Sequence, residues 1–578
     1  MGCTMTYIEK LENYIKEVVN DLGYKLDNVI LEKCNIKDLG DFQVNFAMKL
    51  AKEYSKNPRD IANEVVAKLD DRFTNVNIAG PGFINLTISD EYLIYYANNE
   101  AKDFKNNIDE VSEKTIIVDY GGANAAKALH VGHMRSPNIG EAMKRLCSLY
   151  NKKVIGDVHL GDLGRQAGML ISEYKEMHPE SPYFDKNFKG EYPKIDLTVE
   201  DLGIMYPIAN IKAKDDEKKM AEVREITAEI DKGNKAYIEL WRQMVELSKV
   251  KIKEVYDKLN CTFELWNGEL GSMAFVEDTM KVLNPYLYPS EGALIMDVKE
   301  EDDKVDIPPL IVIKQDGATI YATRDLATIY ERMKVYNPDE MWYFTDERQS
   351  MYFTQVFRAA HKSGLVKDST VLKHFGFGTV NGPDGKPFKT RDGGVMDLAT
   401  LIDNLKVEVD KKIKETITGK EREEILDKLT IAALKYTDLL PYRKTDYIFD
   451  PIKFSSLEGK TGPYILYTVV RIKSILNKAN INNAKLVLIP NSDSKDILLK
   501  LIELPKVLKS AYNEATPSYI AEYIYDLCNI FNKFYNNHNI LNEKDNNIKE
   551  SYIALCNLTY NILHNLLDIL AIREVDKM

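Results

Sequence analysis

Apolar residues at Ile8, Leu11, Tyr14, Ile15 and Val18 recur at helical spacing and predict an amphipathic opening helix. A second helix is expected over Asn57–Leu69, and Val76–Ile88 reads as strand with a turn at Gly80-Pro81-Gly82. Residues 1–90 therefore form a small α/β unit, and the polar stretch 91–114 reads as a linker. Thr115–Tyr120 (TIIVDY) is a short β-rich run closed by Gly121-Gly122, the pattern of a buried parallel strand. Ile139, Ala142, Met143, Leu146, Leu149 and Tyr150 then follow helical spacing. Strand, glycine loop and helix in that order begin a doubly wound nucleotide-binding sheet. Val154–Ile155, Leu310–Ile313 and Met341–Phe344 are candidates for its further strands. Residues 212–260 carry a long charged helical pattern, opened by Asp215-Asp216-Glu217-Lys218-Lys219, and read as a solvated insertion or surface helix. From about 421 onward the pattern is almost wholly helical. Leu555, Leu558, Ile562, Leu563, Leu566, Leu567 and Leu570 make a wide apolar stripe that predicts an α-bundle.

Composition bounds this picture. A chain of 578 residues allows three or four domains. At 44% hydrophobic and 29% charged residues it is neither disordered nor collagen-like. No apolar run approaches the roughly 18–20 residues of a membrane span. The net charge of −12 gives no support to a nucleic-acid partner. The six cysteines are scattered without a CxxC pair, which argues for free thiols in a reducing cytoplasm and against a cysteine zinc site. No signal peptide opens the chain. Met1-Gly2-Cys3-Thr4-Met5-Thr6 fits a loose lipidation pattern, outweighed by the helix that follows at once.

The informative stretch is 119–135, DYGGANAAKALHVGHMR. His130 and His133 share one face where a loop enters a helix, and a helix N-terminus offers free N–H groups to an anion. Gly132 lets a ligand lie against the backbone. A metal pair would want a third ligand nearby, and none is evident; alone, the tetrapeptide is weak. About 250 residues later comes a glycine-rich cationic loop, Gly382–Gly394, with Lys386, Lys389, Thr390 and Arg391. Such a loop suits a triphosphate, and equally a solvated β-turn.

HVGH resembles the HIGH motif of class I aminoacyl-tRNA synthetases, and KPFKT is similar to their KMSKS loop. The wider context resembles the arginyl-tRNA synthetases over nearly the whole chain. GDFQVNFAMKLAK and IAGPGFINL are similar to that family's N-terminal domain. HLGDLGRQAGML, YATRDLAT and KPFKTRDGG resemble its catalytic core, and RKTDYIFD, EGKTGPYILY and FNKFYNNH its helical anticodon-binding domain. GGAN stands where many members have SSPN, and Leu163 where Trp is common.

The resemblance implies an α/β multidomain protein with a Rossmann-like class I catalytic core, an N-terminal α/β domain and a C-terminal all-α anticodon-binding bundle. The expected limits are 1–105 for a tRNA-contacting domain, 106–420 for the catalytic domain with a helical insertion at about 170–265, and 421–578 for the bundle. The implied reaction is ATP-dependent activation of L-arginine followed by transfer to the 3′-terminal adenosine of tRNA-Arg. Magnesium accompanies ATP as substrate, and no protein-bound metal is expected. Arginine without tRNA is expected to support little or no pyrophosphate exchange.

By the same resemblance His130, Gly132, His133, Lys386, Lys389 and Thr390 bind ATP. Lys127 shares the catalytic charge with Lys386, Lys389 and the two histidines. A guanidinium is a planar fork best matched by carboxylates, and the resemblance assigns it to Asp325, Tyr321 and Glu269. Asp119, Asn124 and Gln349 take the α-amino end, with Gln355 as competitor for Gln349. Tyr464, Tyr467, Arg471, Phe534, Tyr535 and Asn537 suggest base stacking in the bundle, although aromatics at helical spacing also build cores. The expected protein is monomeric, cytoplasmic and free of membrane. A class I synthetase of another specificity and a catalytically silent paralogue binding RNA are the alternatives. The net charge then implies a local basic track, running from the Lys386–Arg391 loop to the bundle, on an otherwise acidic surface.

Overall fold

The computed structural model describes residues 6–34, 36–107, 114–125, 127, 129–150, 152–315, 320–382, 384–386, 396–481 and 483–578. Lys389, Thr390, Arg391 and the Met1–Met5 part of the lipidation pattern lie outside these residues. The chain divides into two compact units. One comprises 1–111, 457–569 and 574–578, the other 112–456 and 570–573.

In the first unit, helix Tyr7–Asp21 opens on a capping box between Thr6 and Glu9 and buries Tyr7, Ile8, Leu11, Ile15 and Val19. Helix Pro58–Val66 starts at an Asn57 cap with proline at its first turn. Phe73–Ala79 and Phe83–Ile88 form a hairpin across Gly80-Pro81-Gly82 within a four-stranded antiparallel sheet. Residues 90–107 are not a linker. Ser89 caps helix Asp90–Asn99, and a 3₁₀ helix covers Ala101–Asn107. Asp90, Glu91, Lys102 and Lys105 are exposed while Leu93, Tyr96, Ala97 and Phe104 enter the core. Tyr96 donates its hydroxyl to the Leu501 carbonyl, and Asn98 exchanges hydrogen bonds with Leu486. These bonds join the N-terminal segment to helix Ser492–Leu501 and to the stretch before it. Among the C-terminal helices Ser518–Asn537 and Asn546–Ile569 carry wide apolar faces, the latter including the leucine stripe up to Leu567.

The second unit is built on a four-stranded parallel sheet. Its order is Val371–His374, Glu340–Tyr343, Thr115–Asp119, Lys153–Asp157. The first two strands in chain order lie on one side and the later two on the other, so the order reverses between Thr115–Asp119 and Glu340–Tyr343. A crevice at the carboxyl ends of such a reversal is where doubly wound sheets take ligands. Leu310–Ile313 is not in this sheet. It pairs with Leu287–Ser290 and Ala293–Met296 in a separate antiparallel ribbon, because hydrogen-bonding neighbours, not apolar content, assign a strand to a sheet. The 212–260 pattern is three helices. Val199–Asp215 breaks at Asp216, which caps Glu217–Asp231, and Gly233-Asn234 turns the chain into Lys235–Lys258.

Helix Gly419–Leu439 belongs to this unit and packs on helix Arg135–Leu149. There the buried Asp438 meets Arg135 at 3.2 Å, accepts from Asn138 at 2.7 Å and accepts the Tyr447 hydroxyl at 2.9 Å. The described cysteines carry free thiols. Among the described residues no helix is long and apolar enough to cross a membrane.

Candidate active site

A cavity of about 590 Å³ opens at the sheet's reversal point. Asp119 and Tyr343, paired neighbours at the ends of their strands, form part of its floor. After Asp119 the chain turns sharply at Gly121, whose φ is +97°. A Cβ there would also lie 3.1–3.2 Å from Val158, Phe263 and Tyr256, so glycine suits this place in GGAN.

The HVGH segment forms a 3₁₀ turn, Val131–His133, immediately before helix Arg135–Leu149. His130 Nδ1 accepts from the Gly132 amide and His133 Nδ1 from the His130 amide, each at 3.1 Å. The two rings lie 3.8 Å apart between centroids. Burial lowers the pKa of both histidines. His133 falls to about 4, with His130 adding to the effect, while nearby Lys127 adds to the lowering at His130. Both rings are therefore neutral near pH 7. With each Nδ1 used as acceptor, the proton sits on Nε2, where it is free for donation to phosphate oxygens.

The segment that follows the second motif in the chain is tied to the first motif by backbone. Val131 N donates to Met396 O at 3.1 Å and Leu398 N to Leu129 O at 2.8 Å, with His130 and Asp397 bridged antiparallel between them. Met396–Leu398, which follow the cationic loop in the chain, are thereby anchored on HVGH. Lys386 is exposed in the turn closed by Gly382 N to its carbonyl, and it does not line the cavity. Lys127 lines a second hollow of about 310 Å³ and stands over the Tyr206 ring at 5.2 Å.

Around the floor the side chains are acidic and buried. The Arg332 guanidinium, 2% exposed, reaches both Asp119 and Asp157 at 2.6 Å and donates to the Tyr343 hydroxyl at 3.0 Å. Burial raises the Asp119 pKa against the pull of Arg332. Donor atoms of Asp119, Asp157 and His159 lie within 4.8 Å of one another, and Arg332 supplies the positive charge at both carboxylates. Asp325 accepts the Tyr352 hydroxyl and is likewise raised by burial.

Of the residues expected from sequence, Asp119, His130, Gly132, His133, Tyr321, Asp325 and Gln349 line this one cavity. Asn124 does not; its backbone bridges Gly161. Glu269 does not either. It opens helix Glu269–Leu283 and accepts from the buried Arg324 at 2.7 Å. Burial pushes its pKa up to about 7, against the opposing pull of Arg324. Gln355 lies in an adjoining hollow that shares Tyr321 and Tyr352 with the main cavity. Sequence reasoning missed His159, Tyr352, Asp157 and Arg332. His159 falls inside the quoted HLGDLG motif, the one available signal. The other three act through tertiary pairing that spacing does not reveal.

A doubly wound sheet with HxGH at its ligand-binding edge defines the catalytic domain of a class I aminoacyl-tRNA synthetase. Residues 97–451 match the family described as tRNA synthetases class I (R), catalytic domain. Residues 9–88 match the arginyl tRNA synthetase N terminal domain, and 465–578 the DALR anticodon binding domain. The arginine--tRNA ligase of Alkaliphilus oremlandii is 43% identical over 99% of both chains, and that of Francisella tularensis 40% over 98% of this chain and all of the relative. The chain belongs to the arginyl-tRNA synthetase family. Solved arginyl-tRNA synthetases from Plasmodium falciparum (TM-score 0.81, 23% identity, all of both chains) and Thermus thermophilus (0.79, 20%, 99% of this chain and all of that one) share its fold.

Proposed function

We propose that this chain is an arginine--tRNA ligase whose reaction centre is the cavity between HVGH and the buried carboxylates. The observation that carries this reading is the pairing of neutral histidine donors with anionic groups in one cavity, in a chain so similar to arginine--tRNA ligases. An oxygen of the arginine carboxylate attacks the α-phosphorus of ATP, the bond to the bridging oxygen breaks, and pyrophosphate leaves. A ribose hydroxyl of the tRNA 3′-terminal adenosine then attacks the activated carbonyl and AMP departs. The chain needs no nucleophile of its own, so positioning and charge stabilisation do the catalysis.

In this reading His130 and His133 donate through Nε2 to phosphate oxygens, and Gly132 admits them to the backbone. Lys386, Lys389, Thr390 and Lys127 supply the positive charge and polar contacts for pyrophosphate. Asp325 and Tyr321 select the guanidinium, and Asp119 and Gln349 orient the α-amino end. ATP enters with Mg²⁺ as a substrate complex. The N-terminal domain (1–105) and the helical bundle (421–578) bind tRNA-Arg, the catalytic domain (106–420) carries the chemistry, and the enzyme works as a cytoplasmic monomer.

ATP–pyrophosphate exchange with each amino acid, with and without tRNA-Arg, tests the assignment. Exchange is expected for arginine with tRNA, and its absence refutes the ligase. Asp325→Asn should raise KM for arginine about 100-fold or more, since an unpaired guanidinium in a buried site loses about 3 kcal/mol. KM for ATP should stay within about twofold. Equal losses for both substrates would remove Asp325 from the guanidinium site.

A further inference from the structure

His159 has no place in the assignments above, yet the structure puts it on the cavity wall. Both of its ring nitrogens are buried from water and lack a hydrogen-bond partner among the described residues. Its backbone is left-handed, φ +32°, which a non-glycine residue adopts only where its surroundings impose it. The imposing contact is local. Asp157 Oδ1 accepts the His159 amide at 3.1 Å, while Asp157 Oδ2 holds Arg332. Asp157 thus holds His159 on the cavity wall, where a ring nitrogen lies within 4.8 Å of carboxylate oxygens of Asp119 and Asp157.

Charge matching says what would meet it. Arg332 answers one of the two charges on Asp119 and Asp157, and Arg324 answers Glu269. One negative charge remains at the Asp119 end. A second remains on Asp325, whose hydrogen-bond partner is a neutral tyrosine. L-arginine carries two cations, the guanidinium and the α-ammonium. With the guanidinium on Asp325, the ammonium falls to the Asp119 end. An ammonium has three N–H bonds to place and Asp119 takes only part of them. A third carboxylate there would add uncompensated negative charge, whereas an imidazole nitrogen offers a lone pair without adding one.

Resting on the arginine reading, we propose that His159 is a substrate-binding residue, accepting a hydrogen bond from the α-ammonium of L-arginine beside Asp119. The substrate ammonium completes one of the two ring nitrogens that lack a partner among the described residues.

The test compares L-arginine with 5-guanidinopentanoate, which keeps the guanidinium and carboxylate and lacks the α-amino group. Dissociation constants are measured by calorimetry on the full chain with tRNA-Arg present. His159→Ala should weaken L-arginine 10- to 30-fold and change 5-guanidinopentanoate less than twofold. His159→Gln, which keeps an acceptor, should recover most of the loss and serves if the alanine variant does not fold. An equal change for both ligands, or no change for either, overturns the proposal. Wild-type protein that binds neither ligand overturns the arginine reading itself, a result distinct from wild-type binding that the variants leave unaltered.

Discussion

Glu269 permits a quantitative test of the electrostatics beside the cavity. Its carboxyl is almost fully buried and accepts from Arg324 at 2.7 Å, yet burial outweighs that partner and raises its pKa from 4.5 to about 7. A folded-state pKa above the unfolded one means that the native protein holds the proton more tightly. The associated stability is complete below about pH 4.5 and disappears as pH rises through 7. At about 1.4 kcal/mol per pH unit, the gap corresponds to about 3 kcal/mol. Glu269→Gln keeps the volume and an acceptor for Arg324 but cannot ionise. Its loss of the ionic partner is a constant offset wherever Arg324 stays charged. Denaturant or thermal unfolding of wild type and variant at pH 5, 6, 7 and 8 should therefore give a difference that moves in the variant's favour by about 2–3 kcal/mol across that range, with most of the change below pH 7.5. A flat difference, or one moving the other way, would show that Arg324 holds Glu269 ionised and that burial has been overweighted.

Other perturbations follow the same physics. Arg332→Met leaves Asp119 and Asp157 facing each other without compensation in a buried site, so stability should fall by about 3–5 kcal/mol, read as a lowered unfolding midpoint. Adding Asp157→Asn should return part of that loss, and no recovery would refute a charge origin. Gly140→Ala places a methyl 2.3 Å from Cβ and Cγ of Tyr120. The overpacking should outweigh the gain of about 1 kcal/mol in helix propensity and leave a net loss of about 2 kcal/mol or more, seen by thermal denaturation. An unchanged midpoint would mean that the sheet–helix contact is looser than it is here.

The local elements were legible in the sequence where periodicity and punctuation agree. The amphipathic opening helix, the helix expected over Asn57–Leu69 and the Gly80-Pro81-Gly82 turn rest on local devices, and each formed, although the second helix ends at Val66. The polar stretch after Ser89 misled because a helix with one apolar face looks like a linker when its buried positions, Leu93, Tyr96 and Ala97, are few. Leu310–Ile313 misled because an apolar run does not carry the identity of its neighbours.

By itself the sequence determined the chemistry available to this protein. HVGH, the YATRD segment and a strand–glycine–helix opening specify which groups are carried and on which local element. Only the tertiary structure decided which of them meet. It brought Asp119, His133, Asp325 and Gln349 to one cavity and left Asn124 and Glu269 outside its lining. It also gave Glu269 to Arg324, gave Asp119 and Asp157 to Arg332, and left the His159 ring nitrogens without a hydrogen-bond partner among the described residues. The physical reason is that burial and long-range pairing set the charge of an ionisable group. Both depend on chain crossings here 55 to 213 residues apart, which no spacing in the sequence records.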